Sequence, residues 1–116
     1  MERRRGFFSV SLTQKHHLLR EAVDKIRHRG GKVIFLTMPT SGMIHDIENK
    51  QYPQAVFWVP LKKALPVTMI HSDEHPTLKA FVCPDGSHLD YRDKARFTAA
   101  FAQVAGLTQN QTEPSR

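Results

Sequence analysis

The stretch that decides the fold of this chain is Gly30-Gly31-Lys32-Val33-Ile34-Phe35-Leu36-Thr37-Met38-Pro39. From Lys32 to Met38 the apolar residues form a continuous run instead of alternating with polar ones. Such a run between helices is typical of a parallel strand that is buried on both faces. The stretch therefore predicts a buried strand in an α/β domain.

The residues before this strand predict an amphipathic helix from Thr13 to Arg29. Its polar residues lie on the side opposite an apolar face, Thr13 is suited to cap its start, and Gly30-Gly31 is suited to end it. The apolar face contains His16, Leu19, Ala22, Val23 and Ile26.

The residues after the strand alternate between helical and strand patterns, which predicts an α/β fold with a small, mainly parallel sheet flanked by helices. The expected domain covers residues 13–106, between a basic segment at 1–12 and a polar tail at 107–116. In order, the expected elements are a polar loop at 40–50, a helix at 51–63 bounded by Pro53 and Pro60, a strand at 66–70, a polar turn at 71–77, a strand at 78–83 and a helix at 89–105.

A sheet this small leaves an edge that must be covered. A strand from Phe7 to Leu12 could cover it. A second copy of the chain or another chain could also pair with it, or the chain could correspond to the C-terminal half of a larger fold. We therefore expect either an added strand or a homodimer or other pairing through the sheet edge.

Composition narrows the class of protein. The chain has 116 residues, which suits one domain, and no apolar run of membrane-spanning length. The single cysteine, Cys83, excludes an internal disulfide and indicates a reducing compartment, so we expect a cytoplasmic protein.

The net charge of +6 is concentrated near the start of the chain. Residues 1–32 hold nine Lys or Arg against three Asp or Glu, whereas residues 33–116 hold eight of each. A basic segment can bind nucleic acid or an anionic membrane surface. No nucleic-acid motif accompanies it, so nucleic acid is not the expected partner, and a solvated helix face is the plainer interpretation.

The main chemical motif is Asp85-x-x-His88, placed between the last predicted strand and the last predicted helix. The carboxylate can hold one ring nitrogen of His88 while the other accepts a proton from a nucleophile. A structural explanation is also open. Pro84-Asp85-Gly86 is a turn signal, and Ser87-x-x-Asp90 resembles a capping box that would place His88 in the first turn of a helix.

Two further groups of residues are candidates for chemistry. Ser41 follows the buried strand and is the best internal nucleophile, although an ordinary loop serine is the plainer explanation, since no nucleophile-elbow pattern surrounds it. His71 and His75 flank two acidic residues, but Pro76 interrupts any helix there and no metal-binding spacing is present. We therefore expect neither a metal nor a cofactor.

Together these residues resemble the C-terminal part of SGNH (GDSL-type) hydrolases, from the strand at 30–39 through a Trp58-containing helix to Cys83-Pro84-Asp85-Gly86-Ser87-His88-Leu89. The resemblance implies a flavodoxin-like, three-layer fold and hydrolysis of an ester substrate. It also implies that His88 is the general base and Asp85 its orienting partner.

The Gly-Asp-Ser nucleophile block of that family is absent from this sequence, as are its Gly and Asn blocks. The resemblance therefore implies a site that is incomplete on this chain alone. Its nucleophile would come from Ser41, from another chain or from upstream sequence. The alternative is a non-catalytic binding domain whose basic N-terminal segment contacts an anionic partner.

Overall fold

A computed structural model of the chain describes residues 11–107. Residues 1–10 of the predicted basic segment, most of the predicted strand at 7–12 and residues 108–116 of the polar tail lie outside the described residues. The described helices are α1 (Leu12–His28), α2 (Gly42–Gln51), α3 (Trp58–Ala64), α4 (Pro76–Lys79) and α5 (Lys94–Val104), and the strands are β1 (Ile34–Thr37) and β2 (Thr68–His71). Two 3-10 turns, Ser72–Glu74 and Tyr91–Asp93, precede α4 and α5.

The chain divides into two compact units. Among the described residues, unit 1 comprises 11–34 and 54–67, and therefore holds α1 and α3. Unit 2 comprises 35–53 and 68–107, and holds α2, most of β1, β2, α4 and α5. The candidate catalytic residues Ser41, Asp85 and His88 all belong to unit 2.

Helix α1 of unit 1 has well-defined caps at both ends. Ser11 accepts a hydrogen bond from the N–H of Gln14, whose side chain accepts one from Ser11, which makes a capping box. At the other end Gly30 has a φ of 87°, and Gly30 and Gly31 donate to the carbonyls of Arg27 and Ile26. The predicted glycine stop is confirmed, whereas the N-cap is Ser11 and not Thr13.

Helix α3 is shorter than predicted, and Pro60 lies inside it. Pro60 is the third residue of α3, where a backbone N–H has no acceptor within the helix, so the missing N–H costs nothing. The prediction that Pro60 bounds a helix was therefore wrong. At the end of α3, Arg20 donates from Nη1 to the carbonyl of Ala64 over 3.3 Å and so ties α1 to α3.

The sheet of unit 2 is small, as predicted. It has two parallel strands, β1 and β2, which confirms an α/β fold. The Ser72 hydroxyl, which follows β2, donates to the carbonyl of Thr37 at the end of β1. Ser72 is buried, so this bond fixes the carboxyl ends of the two strands to each other.

Two predicted elements of unit 2 were wrong. The stretch expected to be a polar loop is helix α2, in which Ile44, His45 and Glu48 occupy the less exposed positions. The expected strand at 78–83 is absent, since Leu78 lies in α4 and residues 81–83 have no regular structure. Leu78 and Cys83 are buried in the core, so the apolar character of this stretch reflects core packing and not a place in the sheet.

The last helix begins later than predicted. Asp90 accepts a hydrogen bond from the N–H of Arg92 and opens the 3-10 turn that leads into α5. On α5, Phe97 is buried and packs edge-to-face against Phe81 at 5.4 Å between ring centres. His88 therefore precedes the helix, and the alternative interpretation of Ser87-x-x-Asp90 as a capping box that opens it does not hold.

Candidate active site

Asp85 and His88 lie on a tight turn that is built around the Asp85 carboxylate. Its Oδ1 accepts hydrogen bonds from the backbone N–H groups of Ser87, at 3.0 Å, and His88, at 2.8 Å. Gly86 has a φ of 91°, and its N–H donates to the carbonyl of Cys83 over 2.9 Å. The turn thus depends on Asp85, whose carboxylate accepts two backbone hydrogen bonds, and on Gly86, whose backbone conformation favours glycine.

The same carboxylate also holds the imidazole of His88. Asp85 Oδ2 lies 2.9 Å from Nδ1 of His88, and the Ser87 hydroxyl oxygen lies 3.0 Å from the same nitrogen. Because an ionised carboxylate can only accept, Nδ1 carries the proton and Nε2 is the basic nitrogen of the neutral ring. Within residues 11–107 no group hydrogen-bonds to Nε2, and the His88 side chain is 81% exposed.

The electrostatics of the pair keep Asp85 ionised. The backbone N–H of His88, then that of Ser87, and then the His88 ring lower the pKa of Asp85 from 3.8 to about 2. The carboxylate is consequently charged at neutral pH, where it can accept the hydrogen bond from Nδ1–H of the ring.

Ser41 is attached to this turn through two hydrogen bonds. Its N–H donates to the carbonyl of Gly86 over 2.9 Å, and its Oγ accepts from the N–H of Cys83 over 2.8 Å. Burial raises the pKa of the Cys83 thiol, and a side-chain hydrogen bond with Ser41 partly offsets this effect. No hydrogen bond joins Ser41 to His88 in the part of the chain that the structure describes.

The sequence suggested that Ser41 and His88 share one end of the sheet. The structure brings Ser41 to the turn that carries His88, although that turn does not follow a strand of the sheet. Ser41 follows β1, but the turn follows an irregular segment packed on the first turn of α2. A Cβ built on Gly86 would lie 2.7 Å from Cγ1 of Ile44 and 3.2 Å from the Ser41 carbonyl oxygen.

An open cavity of about 380 Å³ lies beside the imidazole. Its apolar lining comes from Pro84, Leu89 and Tyr91, and its polar lining includes Asp85 and His88. Two further lining residues pair with each other: Arg92 donates from Nη2 and Nε to the Asp90 carboxylate over 2.7 and 3.1 Å. Hydrogen bonds from Arg92 lower the pKa of Asp90 to about 2, and the bonds from its side chain contribute more than the bond from its backbone N–H.

A second histidine–aspartate pair was not predicted. Nε2 of His45 on α2 lies 3.0 and 2.9 Å from the two carboxylate oxygens of Asp73, and the Asn49 amide nitrogen lies 3.3 Å from Nδ1. Both side chains are largely shielded from solvent, and both ring nitrogens are engaged. The spacing of His45 and Asn49 by four residues would have signalled the contact between these two side chains if residues 40–50 had been recognised as a helix, but it carries no sign of Asp73.

His71, one of the two histidines considered for metal binding, has a structural role. Nδ1 of His71 accepts a hydrogen bond from the N–H of Asp73 and caps the first 3-10 turn. Among residues 11–107, no three His, Cys, Asp or Glu side chains are grouped so that they could hold a metal ion.

No family model, curated protein or solved structure matches this chain. The resemblance to SGNH hydrolases and the flavodoxin-like architecture it implies remain predictions. In the described part of the chain, no helix has both the length and the apolar character needed to cross a bilayer.

Proposed function

We propose that unit 2 is an SGNH-like ester hydrolase in which His88 is the general base and Asp85 orients it. The observation that carries this proposal is the hydrogen bond from Nδ1 of His88 to the Asp85 carboxylate at 2.9 Å, with Nε2 directed away from that bond. In histidine-dependent hydrolases an orienting carboxylate fixes the tautomer in this way and leaves Nε2 to accept the nucleophile's proton.

The comparison with His45 supports this choice of base. His45 also has an aspartate partner, but Asn49 engages its second nitrogen, so no lone pair is left for a substrate or nucleophile. His88 combines an orienting carboxylate with an unengaged Nε2 beside a cavity. The cavity offers apolar surface from Leu89 and Tyr91, which suits the acyl or alkyl part of an ester.

Ser41 is the nucleophile that the proposal assigns within this chain. As its Oγ attacks the acyl carbon, Nε2 of His88 accepts the hydroxyl proton and then returns it to the departing alcohol. A water molecule then attacks the acyl group on Ser41, Nε2 of His88 accepts the water proton and returns it to Ser41 Oγ, and the acid is released. The backbone N–H groups at the start of α2 follow Ser41 directly and could donate to the oxyanion. The step requires the turn at 85–88 to bring Nε2 into hydrogen-bonding distance of Ser41.

Hydrolysis of p-nitrophenyl acetate and butyrate tests the proposal. We expect His88→Ala to lower kcat/KM by about 10²-fold or more, the usual contribution of a general base. His45→Ala is the matched control, because it removes an aspartate-paired histidine that has no free nitrogen. Equal rates in the unmodified chain and the His88→Ala variant, with circular dichroism showing both folded, would contradict the proposal.

The alternative is a non-catalytic domain that retains this turn for its structure. One observation favours it: the Oγ of Ser41 is engaged by the Cys83 N–H instead of by His88. In that case Asp85 and His88 only lock the turn, and neither ester is hydrolysed above the rate of the His88→Ala variant.

A further inference from the structure

The two units differ in charge. The described residues of unit 1, 11–34 and 54–67, contain eight Lys or Arg and two Asp or Glu, a net charge of +6. The described residues of unit 2 contain five Lys or Arg and seven Asp or Glu, a net charge of −2. The basic character therefore belongs to unit 1 as a folded body and extends well beyond the N-terminal segment. Six of its cations have no ion-pair partner among the described residues: Lys25, Arg27, Arg29, Lys32, Lys62 and Lys63.

Helix α1 also presents an exposed apolar stripe, which we define as Leu18, Leu19, Ala22 and Ile26. Their spacing of three, four and seven residues places them on one face of the helix. Leu18 is 57% exposed and Ile26 43% exposed, so this face is not the one that packs in unit 1. The packing side contains Val23, which is buried, and Arg20, which binds the end of α3.

Cations outnumber carboxylates beside this stripe. At about 100° per residue, Lys25 borders the stripe, Arg29 lies at its C-terminal end as the C-cap of α1, and Asp24 lies on the opposite side. Glu21 also borders the stripe, three residues after Leu18, and its carboxylate lies 3.3 Å from Nε2 of His17. A helix with an apolar face bordered by Lys and Arg is the form that binds at the surface of a bilayer.

We propose that α1 binds an anionic lipid surface, with the apolar stripe inserted among the headgroups and Lys25 and Arg29 contacting their negative charges. Nucleic acid is the less favoured partner, because phosphate contacts would use the cations and leave the stripe facing water. This inference goes beyond the proposed hydrolysis and does not depend on it.

Flotation of the full chain with vesicles of ether-linked lipids tests the proposal, since such lipids offer no ester bond to hydrolyse. We expect binding to vesicles made of equal parts phosphatidylcholine and phosphatidylserine and no binding to phosphatidylcholine alone. The double variant Lys25→Gln/Arg29→Gln should weaken binding about tenfold or more, at roughly fivefold per basic residue near the surface.

Removing the stripe should weaken vesicle binding without a change in charge. Leu18→Ser/Ile26→Ser is expected to reduce binding by about tenfold or more, because each buried methylene contributes to insertion. The matched control is Met43→Ser/Ile47→Ser, an exposed apolar pair on one face of α2 in unit 2. Circular dichroism of each variant checks that it is folded, and Leu18→Gln alone provides a milder change.

Binding that needs both the stripe and the cations would support the proposal. Three results would overturn it: no binding to the anionic vesicles, binding that is insensitive to Leu18→Ser/Ile26→Ser in folded protein, or retention of duplex DNA with no vesicle binding. Loss of esterase activity in His88→Ala has no bearing on these results, so the two proposals fail separately.

Discussion

The N–H of Ser41 donates a hydrogen bond to the carbonyl of Gly86 over 2.9 Å and thereby joins the start of α2 to the turn that carries Asp85 and His88. The contact is close because residue 86 has no side chain. A Cβ at this position would collide with Ile44, and the φ of 91° is in the left-handed region. The position of the turn therefore depends on glycine for two separate reasons.

Gly86→Ala should destabilise unit 2 more than its backbone conformation alone explains. Gly30→Ala is the matched control, since Gly30 has a φ of 87° but no atom within 4 Å of an added Cβ. We expect Gly30→Ala to lower the free energy of unfolding by about 1–2 kcal/mol, the cost of the left-handed conformation. Gly86→Ala should lower it by a further 1–3 kcal/mol or so through overpacking. Denaturant unfolding of both variants measures the difference, and equal losses would show that Ile44 moves aside freely.

Ser41→Ala should destabilise the chain even if Ser41 has no catalytic role. The substitution leaves the N–H of Cys83, a buried residue, without its acceptor. We expect the free energy of unfolding to fall by about 1–3 kcal/mol, the range for an unsatisfied buried donor. Ser87→Ala is the control, because Ser87 is exposed and its loss should change stability by less than about 0.5 kcal/mol. Equal stability of the two variants would mean that water replaces the Ser41 oxygen.

The two histidine–aspartate pairs should respond oppositely to alanine substitution. His45→Ala leaves the carboxylate of Asp73, which is only 18% exposed, without its ring partner. We expect the free energy of unfolding to fall by about 1–3 kcal/mol, with ester hydrolysis retained by the folded protein. His88→Ala should leave stability nearly unchanged, since the ring is exposed, and should remove hydrolysis. Thermal unfolding and rate assays on the same samples measure both effects, and a reversed pattern would exchange the roles of the two histidines.

The low pKa of Asp85 should survive the loss of the imidazole. The two backbone N–H groups that bind its carboxylate remain in His88→Ala, and the N–H of His88 is the largest cause of the shift. We expect a pKa of about 2 in the unmodified chain and, in His88→Ala, a pKa that is higher but still below 3.8. Because the folded-state pKa is depressed, the stabilisation is present above 3.8 and is lost as the pH falls towards 2. Carboxyl carbon chemical shifts followed by NMR report the titration, and a return to 3.8 in the variant would assign the shift to the ring.

Local signals in the sequence were sufficient for some elements. The apolar run at 32–38 predicts the strand β1, although its residues are half-buried and not buried on both faces as predicted. The periodicity of α1 with its terminal glycines predicts that helix. Both predictions depend on residues close together in the chain. The pairing of Asp85 with His88 was predictable for the same reason, since three residues separate them. The hydrogen bonds of such a turn are determined by the residues of the turn itself.

The features that were missed depend on burial or on distant residues. The apolar character of residues 78–83 reflects their place in the core, and a strand and a buried irregular segment cannot be distinguished by apolar content alone. The contact of His45 with Asp73 joins residues 28 positions apart, so no spacing rule could indicate it. The sorting of charge between the two units required knowledge that residues 54–67 belong with α1.

Labelling with a fluorophosphonate probe, followed by intact and peptide mass spectrometry, tests most directly whether Ser41 and His88 form a hydrolase site. We predict one adduct per chain, located on Ser41, that is absent from His88→Ala and present in His45→Ala. The absence of any adduct on the unmodified chain, or an adduct on Ser41 that persists in His88→Ala, would contradict the proposed catalytic pair.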